Sequence, residues 1–429
     1  MVLETRHRSP KFHCRLSFGA LGPPLYVVPC GERCLFEGPY CMQNFGDETT
    51  AHPAVQHLEA LTSLRFFAAA YVLLYHYTSI SGSIFESQVV RLGYTGVSFF
   101  FVLSGFILAH NYHQVDFAKA GALYRYALAR LSRIYPVYML SLMAGVPFLL
   151  ASLDRMTPGV TTTLATSSLL VAPFGLQAWF PGTACSLNCP SWSISVEAFF
   201  YLMLPFLLAP IMRNPLKVLF ATLGCWLATT AVFVWVWTTV STQGSILLSQ
   251  PGPTQEIAAQ WIKYFPPGRL PEFCLGLVLY ALWKRQPQRF NSSLMLCAFF
   301  IVAAILLTQA QNISEIVLHN GLSAAAWAPL ILGAASMNGG VLSLPICQFL
   351  GRISYSLYLL HLPIFSAVLA FDNRALDRLL ATQHPTLLIV LTAALAIFCS
   401  AVIFVWVEEP MRRKISRAFP FGGQTTVRP

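Results

Sequence analysis

The sequence predicts an all-α polytopic integral membrane protein, with about ten transmembrane helices, one re-entrant segment and both termini cytoplasmic. Three observations predict it. Of 429 residues, 56% are hydrophobic and 10% charged, where a soluble domain carries about 25% charged residues. The apolar residues fall in runs of membrane-spanning length, and the period-two alternation of a membrane barrel is absent. The basic residues behind the net charge of +10 sit in short loops between the runs, as cytoplasmic loops do. That placement argues for a bilayer and against nucleic acid as the partner.

Residues 1–50 stand apart as a polar, Cys-containing extension. They hold Arg6, Arg8, Lys11, Arg15, Arg33, several prolines, and Cys14, Cys30, Cys34 and Cys41, with no signal-peptide core. Two readings fit: a disordered cytoplasmic tail, or a chain that starts at Met42. The spacing of Cys30, Cys34, Cys41 and His13 matches no common zinc pattern, so no metal is expected. Residues 51–415 form the membrane domain and 416–429 a short cytoplasmic tail.

The first span, Leu61–Ser79, carries Arg65 and His76, eleven positions apart. At about 100° per residue both point the same way, roughly 16 Å apart along the axis. Arginine alone could snorkel to the headgroups. An ionisable pair on one face suggests a polar seam toward the bundle interior, because such groups are costly in lipid. The second span, Gly93–Tyr112, has small residues (Gly96, Ser98, Ser104, Gly105) suited to close helix contact. A basic segment follows, with Arg130 and Arg133 on one helical face ahead of the third span, Ile134–Ser152. Two guanidiniums so placed could bind a phosphate-bearing ligand; ordinary positive-inside anchoring is the alternative.

Val160–Ala172 is only mildly apolar. If it crossed, Arg213, Lys217 and the basic C-terminus would lie outside, so it is read as re-entrant. Cys185 and Cys189 of CSLNCP then lie in an outer loop and could pair in an oxidising compartment. Ser191–Ile211 buries Glu197, which needs a partner. Leu216–Val240 is followed by a polar outer loop to Phe265. Pro266–Trp283 opens with Arg269 and Glu272 at i, i+3, which can pair with each other. Leu294–Ala310 and His319–Met337 have few polar features; Asn312 stands in a glycosylation sequon that carries little weight. Ile346–Phe371 places Ser354, Tyr358 and His361 on one polar face. Leu387–Val407 ends at Glu408, Glu409 and Pro410, read as the membrane exit, and Arg412, Arg413, Lys414 and Arg417 hold that end in the cytoplasm.

Several of these stretches together resemble the acyltransferase-3 family of membrane acyltransferases. They are Arg65 with His76, GYTGVSFFFVLSGFIL, RLSRIYPVYML, LNCPSWSISVEAFFY, RLPEFCLGLVLY, GRISYSLYLLHLPIF and VEEPMRRKI. They run in order over about residues 58–415. The cysteine-rich extension, the spacing of Gly93 and Gly96, and the missing esterase-like fusion depart from the family pattern. The resemblance implies transfer of an acetyl or other short acyl group from acyl-CoA to a sugar hydroxyl. The acceptor would be a polysaccharide or glycolipid, and the location a bacterial cytoplasmic (inner) membrane.

Acyl transfer needs a base, electrophilic stabilisation and a hold on the donor. His76 suits the base, and Glu197 could orient it as the carboxylate does in a triad. Arg130 and Arg133 are assigned to the CoA phosphates and Arg65 to the donor side of the reaction centre. His361, Tyr358 and Ser354 are second candidates, for which helix packing is the plainer role. Residues 1–41 are expected to add nothing to catalysis. The rival is a proton-coupled transporter using Arg65, His76 and Glu197 as an intramembrane path. No internal repeat supports it. A non-catalytic scaffold would leave the cost of burying those groups unexplained.

Overall fold

The computed structural model describes residues 58–418, apart from 82–86, 154–159, 242–245, 247–252 and 377. The polar extension with its cysteines and the last eleven residues, 419–429, lie outside the described residues.

Every described element is helical. α1 is Glu59–Ser81. The short α2 (Gln88–Arg91) leads through a 3-10 turn into α3, Gly96–Tyr112. α4, Ala122–Leu153, joins the basic segment and the third span in one helix of 32 residues. α5, Val160–Val171, has 12 residues. At 1.5 Å per residue that is about 18 Å, too short for a hydrocarbon core of about 30 Å. α6 is Trp192–Arg213 and α7 Pro215–Val240.

The stretch before Phe265, read from sequence as loop, instead holds a helix, α8, Pro253–Tyr264. Its buried Ala258, Ala259 and Ile262 fall on one face, so helical periodicity was present within a polar composition. α9 follows as Leu270–Arg285 and α10 as Ser292–Gln309. A single turn, α11 (Glu315–Val317), runs through a kink at Leu318–Leu322, where Asn320 and Gly321 leave helical dihedrals, into α12, Ala324–Ala335. α13 is Pro345–Ala375, α14 Leu379–Gln383 and α15 Pro385–Ile403. A π-helical turn, Phe404–Glu408, connects α15 to α16, Glu409–Ala418.

Among the described residues, eight helical stretches are long and apolar enough to cross a membrane. All ten predicted spans fall on helices. The two outside that set of eight are α1, which carries Glu59, Arg65 and His76, and α9, which has 16 residues. α7 and α10 turn large apolar side chains outward, among them Phe220 and Phe300, as lipid-facing helices do.

Two close contacts set the interior. α3 packs on α9, and α1 on α13. At the first, a Cβ on Gly276 would lie 1.9 Å from the Val102 carbonyl oxygen, and one on Gly105 would lie 2.2 Å from that of Phe273. Backbones can approach so closely only because neither residue has a side chain. This crossing holds α3 at the centre of the bundle, with Ser98, Ser104 and Phe101 aimed at the neighbouring helices.

The stretch between α5 and α6 is fixed by polar contacts. Cys185 and Cys189 are joined in a disulfide. Gln177 donates to the Ser191 carbonyl at 2.7 Å, and the Tyr138 hydroxyl of α4 donates to the Ala172 carbonyl. Pro363, inside α13, removes the N–H that would bond the Leu359 carbonyl four residues earlier. Asn188 Nδ2 donates to that carbonyl instead, at 2.8 Å.

Two outcomes test this arrangement. Gly276→Ala should destabilise the protein by about 1–3 kcal/mol, as overpacking does, and lower its apparent Tm in detergent. Gly224→Ala, where a Cβ meets nothing within 4 Å, should be neutral; equal effects would mean that the α3–α9 crossing has room to spare. On intact cells, a membrane-impermeant maleimide should reach Cys185 or Cys189 only after reduction. Labelling confined to inverted vesicles would put that loop on the inner side.

Candidate active site

Five helices, α1, α3, α4, α6 and α13, converge on a cavity of about 90 Å³. Arg65, Arg130, Arg133, Glu197, Tyr201 and Ser354 supply polar lining; Phe100, Phe101 and Tyr358 are among the aromatic walls. The structure therefore brings the three sequence-predicted arginines and the glutamate into one place. Arg130 and Arg133 both line this space.

Each member is held differently. The Arg130 guanidinium lies 5.3 Å from the Tyr112 ring centroid and 6.0 Å from that of Tyr201, within cation–π range. Its buried Nε has no partner among the described residues. Arg65 faces repulsion from Arg133 and attraction from Glu408 and Glu197. Glu197 accepts hydrogen bonds from Tyr201 at 2.7 Å and Ser104 at 3.3 Å. Tyr201 is itself fixed through a proline. Pro205 leaves the Tyr201 carbonyl without its helical donor, and the Tyr126 hydroxyl fills the place at 3.1 Å.

Tyr358 lines the cavity, and its hydroxyl lies 2.9 Å from Ser193 Oγ and 3.3 Å from the Pro190 carbonyl. Ser354 donates to the Gly351 carbonyl at 2.8 Å, one turn back on its own helix. One turn beyond Tyr358 on α13 is His361, fully buried. Its Nδ1 lies 2.7 Å from the Tyr358 carbonyl, and its Nε2 lies 3.1 Å from Nδ1 of His76 on α1.

The carbonyl can only accept, so His361 Nδ1 carries a proton. Nε2 of neutral His361 is then bare and must accept, so His76 Nδ1 donates. The lone pair of neutral His76 is thereby assigned to its Nε2. Nearby, the Tyr77 hydroxyl donates to the His361 carbonyl at 3.0 Å and ties α1 to α13.

The partner of His76 is thus His361, not Glu197 as the triad analogy suggests. No hydrogen bond joins Glu197 to His76 among the described residues, and the carboxylate is engaged by Tyr201 and Ser104. Spacing along one chain showed that Arg65 and His76 share a face. It could not show which other helix meets which end of that face.

Arg269 and Glu272 form the i, i+3 pair that the sequence allows, with Nε and Oε2 2.9 Å apart and both side chains buried. Arg269 also donates to Ser98 at 3.3 Å. Gly321 sits over this pair at φ 97°, where a Cβ would come 2.7 Å from Glu272 Cγ. The pair lies outside the cavity lining and braces α9 against α3.

The two acids read from the sequence as membrane-exit markers differ from each other. Glu409 is partly exposed and pairs with Arg412 and Arg413 at 2.5 and 2.7 Å. Glu408 is 9% exposed and accepts a hydrogen bond from Ser356 of α13 at 2.8 Å. The π-helical turn adds a residue to the helical register there, and a Glu-Glu doublet at a span end gives no sign of that.

The family model for an acyltransferase domain matches residues 58–406. The chain is 26% identical over 394 residues to "Acyltransferase MdmB" of Streptomyces mycarofaciens, covering 86% of this chain and 95% of that protein. It is 22% identical over 398 residues to "O-acetyltransferase OatA" of Staphylococcus aureus, covering 85% of this chain and 59% of that protein. A "Putative O-acetyltransferase" of Staphylococcus aureus strain COL is 21% identical over 396 residues, and the chain again spans 59% of its length. No solved structure matches. A match across most of the chain, on a bundle with several helices long and apolar enough to cross a membrane, makes this chain a membrane O-acyltransferase of the acyltransferase-3 family.

Proposed function

We propose that the protein moves an acetyl or other short acyl group from acyl-CoA to a hydroxyl of a carbohydrate or glycolipid acceptor. His76 is the general base. The observation that carries this reading is the His76–His361 pair, set one helical turn beyond an internal cavity lined by three arginines.

In the reaction, His76 Nε2 takes the acceptor hydroxyl proton as the oxygen attacks the thioester carbonyl. The tetrahedral intermediate collapses with loss of the thiolate, which takes the proton back from Nε2. An ester and free CoA result. His361 is a positioning residue: it accepts from Nδ1 and so keeps the Nε2 lone pair free for the hydroxyl. In this respect it does what the carboxylate does in a Ser-His-Asp triad, with less charge to offer.

Arg65 lies roughly 16 Å along α1 from His76, too far to touch the reacting carbonyl. It shares the cavity with Arg130 and Arg133 and joins them in holding the donor phosphates. Glu197 sits among these cations as their counter-charge. The transporter alternative gains nothing from the family match, and the Glu197–His76 path that it requires has no hydrogen bond among the described residues.

Membranes containing the protein, incubated with labelled acetyl-CoA, should transfer label to a membrane or polymer fraction. His76→Ala and His76→Gln should each lose about 10²–10⁴-fold in turnover while the protein still inserts and accumulates. Wild-type turnover by His76→Gln, per folded molecule, would remove His76 from the mechanism. His361→Ala should also lose turnover, with little change in donor KM.

Arg130→Lys and Arg133→Lys should raise the donor KM and leave the acceptor KM nearly unchanged. Lysine keeps the charge but loses the planar fork. An equal effect on both substrates would reduce the pair to a topological anchor.

A further inference from the structure

We infer that an aromatic strip on the far side of His76 from His361, made of Tyr75, Tyr94 and His319, is the acceptor subsite and takes a sugar ring. The inference rests on the reading of His76 as the general base.

The direction comes from the histidine pair. The two nitrogens of an imidazole point to nearly opposite sides of the ring. His76 turns Nδ1 toward His361 at 3.1 Å. Its Nε2, the atom that takes the hydroxyl proton, therefore faces away from His361. Tyr77 marks the α13 side of α1, because its hydroxyl donates to the His361 carbonyl. Tyr75 is two positions earlier, about 200° around the same helix, so it stands on the side away from α13. Its ring meets that of His76 edge-on, with centroids 5.1 Å apart.

The row continues from there. Tyr75 and Tyr94 make a T-shaped contact at 5.7 Å. Tyr94 and His319 stack at 4.0 Å with 11° between their planes. Backbone packing holds these rings in place. A Cβ on Gly93 would fall 2.6 Å from Tyr75 Cβ, so the 3-10 turn Leu92–Thr95 lies directly on α1. The kink at Leu318–Leu322, which carries His319, packs against that turn. His76, Tyr75, Tyr94 and His319 are all partly exposed, whereas His361 on the opposite side is fully buried. The open approach to the base is along the strip.

The chemistry of the strip fits a sugar better than an acyl chain. A sugar ring has C–H faces that pack on aromatic rings and a rim of hydroxyls that need partners. Each ring of the strip joins an apolar face to a polar edge, the combination of walls and placed polar groups found in small-molecule sites. His319 Nε2 is buried and has no hydrogen-bond partner among the described residues. A buried polar atom of that kind calls for a partner. A sugar hydroxyl supplies one, and a hydrocarbon chain does not.

The experiment uses the full chain in detergent, labelled acetyl-CoA, and a glycolipid and polysaccharide extract of the source cells as the acceptor probe. The half-saturating extract concentration and the donor KM are measured separately, and folding is read by thermal melting. Tyr94→Leu should raise the half-saturating concentration about tenfold, as expected for loss of an aromatic contact, with donor KM unmoved. Tyr94→Phe, which keeps the ring, should recover most of that loss. His319→Phe keeps the stack and removes Nε2. It should raise the half-saturating concentration about fivefold, the worth of one hydrogen bond, and it carries the test if Tyr94→Leu does not fold. Half-saturation unchanged in the folded variants overturns the inference. So does a donor KM that rises as much as the extract requirement, or a Tyr94→Phe as weak as Tyr94→Leu. Failure of wild type to transfer label to the extract would instead overturn the reading of donor and acceptor on which the inference depends.

Discussion

Polar groups along the axis of this bundle must find their partners within the protein, because the hydrocarbon around it offers none. That constraint explains why the interior is built as it is. Two prolines that interrupt helices beside the site, Pro205 and Pro363, each free a carbonyl, and a side chain from another helix or from the outer loop takes it up. The Tyr126 hydroxyl serves the Tyr201 carbonyl and Asn188 serves that of Leu359. These are not incidental repairs. Tyr201 carries Glu197, and Leu359 lies between Tyr358 and His361. The same bonds that satisfy the backbone fix the side chains that define the cavity and the histidine pair.

The pair itself shows how a single acceptor can decide chemistry. The Tyr358 carbonyl fixes the His361 tautomer, and that in turn fixes the tautomer of His76. A carboxylate in the place of His361 would give the same orientation with stronger electrostatic support. In a bilayer it would also add the cost of a buried charge. A neutral imidazole backed by a backbone carbonyl gives directionality without that cost. Glu197 and Glu408, by contrast, are acids within reach of the guanidiniums, where opposite charge offsets their burial.

Much of this was legible in the sequence. Apolar runs gave the helices, because in lipid almost any such run must be helical. The eleven-residue step from Arg65 to His76 showed a shared face, and the three-residue step from Arg130 to Arg133 showed another. Ser354, Tyr358 and His361 were visible as a stripe for the same reason. What periodicity within one helix cannot contain is the pairing between helices, so the His76–His361 contact and the engagement of Glu197 by Tyr201 and Ser104 had no local signature. Two other features were hidden differently. The α8 helix sat in polar composition that imitates a loop. Glu408 lay one position from Glu409, which pairs with Arg412 and Arg413, and only the register change of a π-helical turn separates them.

The placement of cations and histidines along α1 bears on how both substrates reach one centre. Arg65 and His76 lie on the same face, roughly 16 Å apart, with the cavity at the Arg65 end. Coenzyme A separates its phosphates from its sulfur by a long flexible arm. If, as proposed, the donor phosphates sit near Arg130, Arg133 and Arg65, that arm can run past Ser354 and Tyr358 on α13, which lead to His361, and the thioester can meet His76 without an acyl-enzyme intermediate.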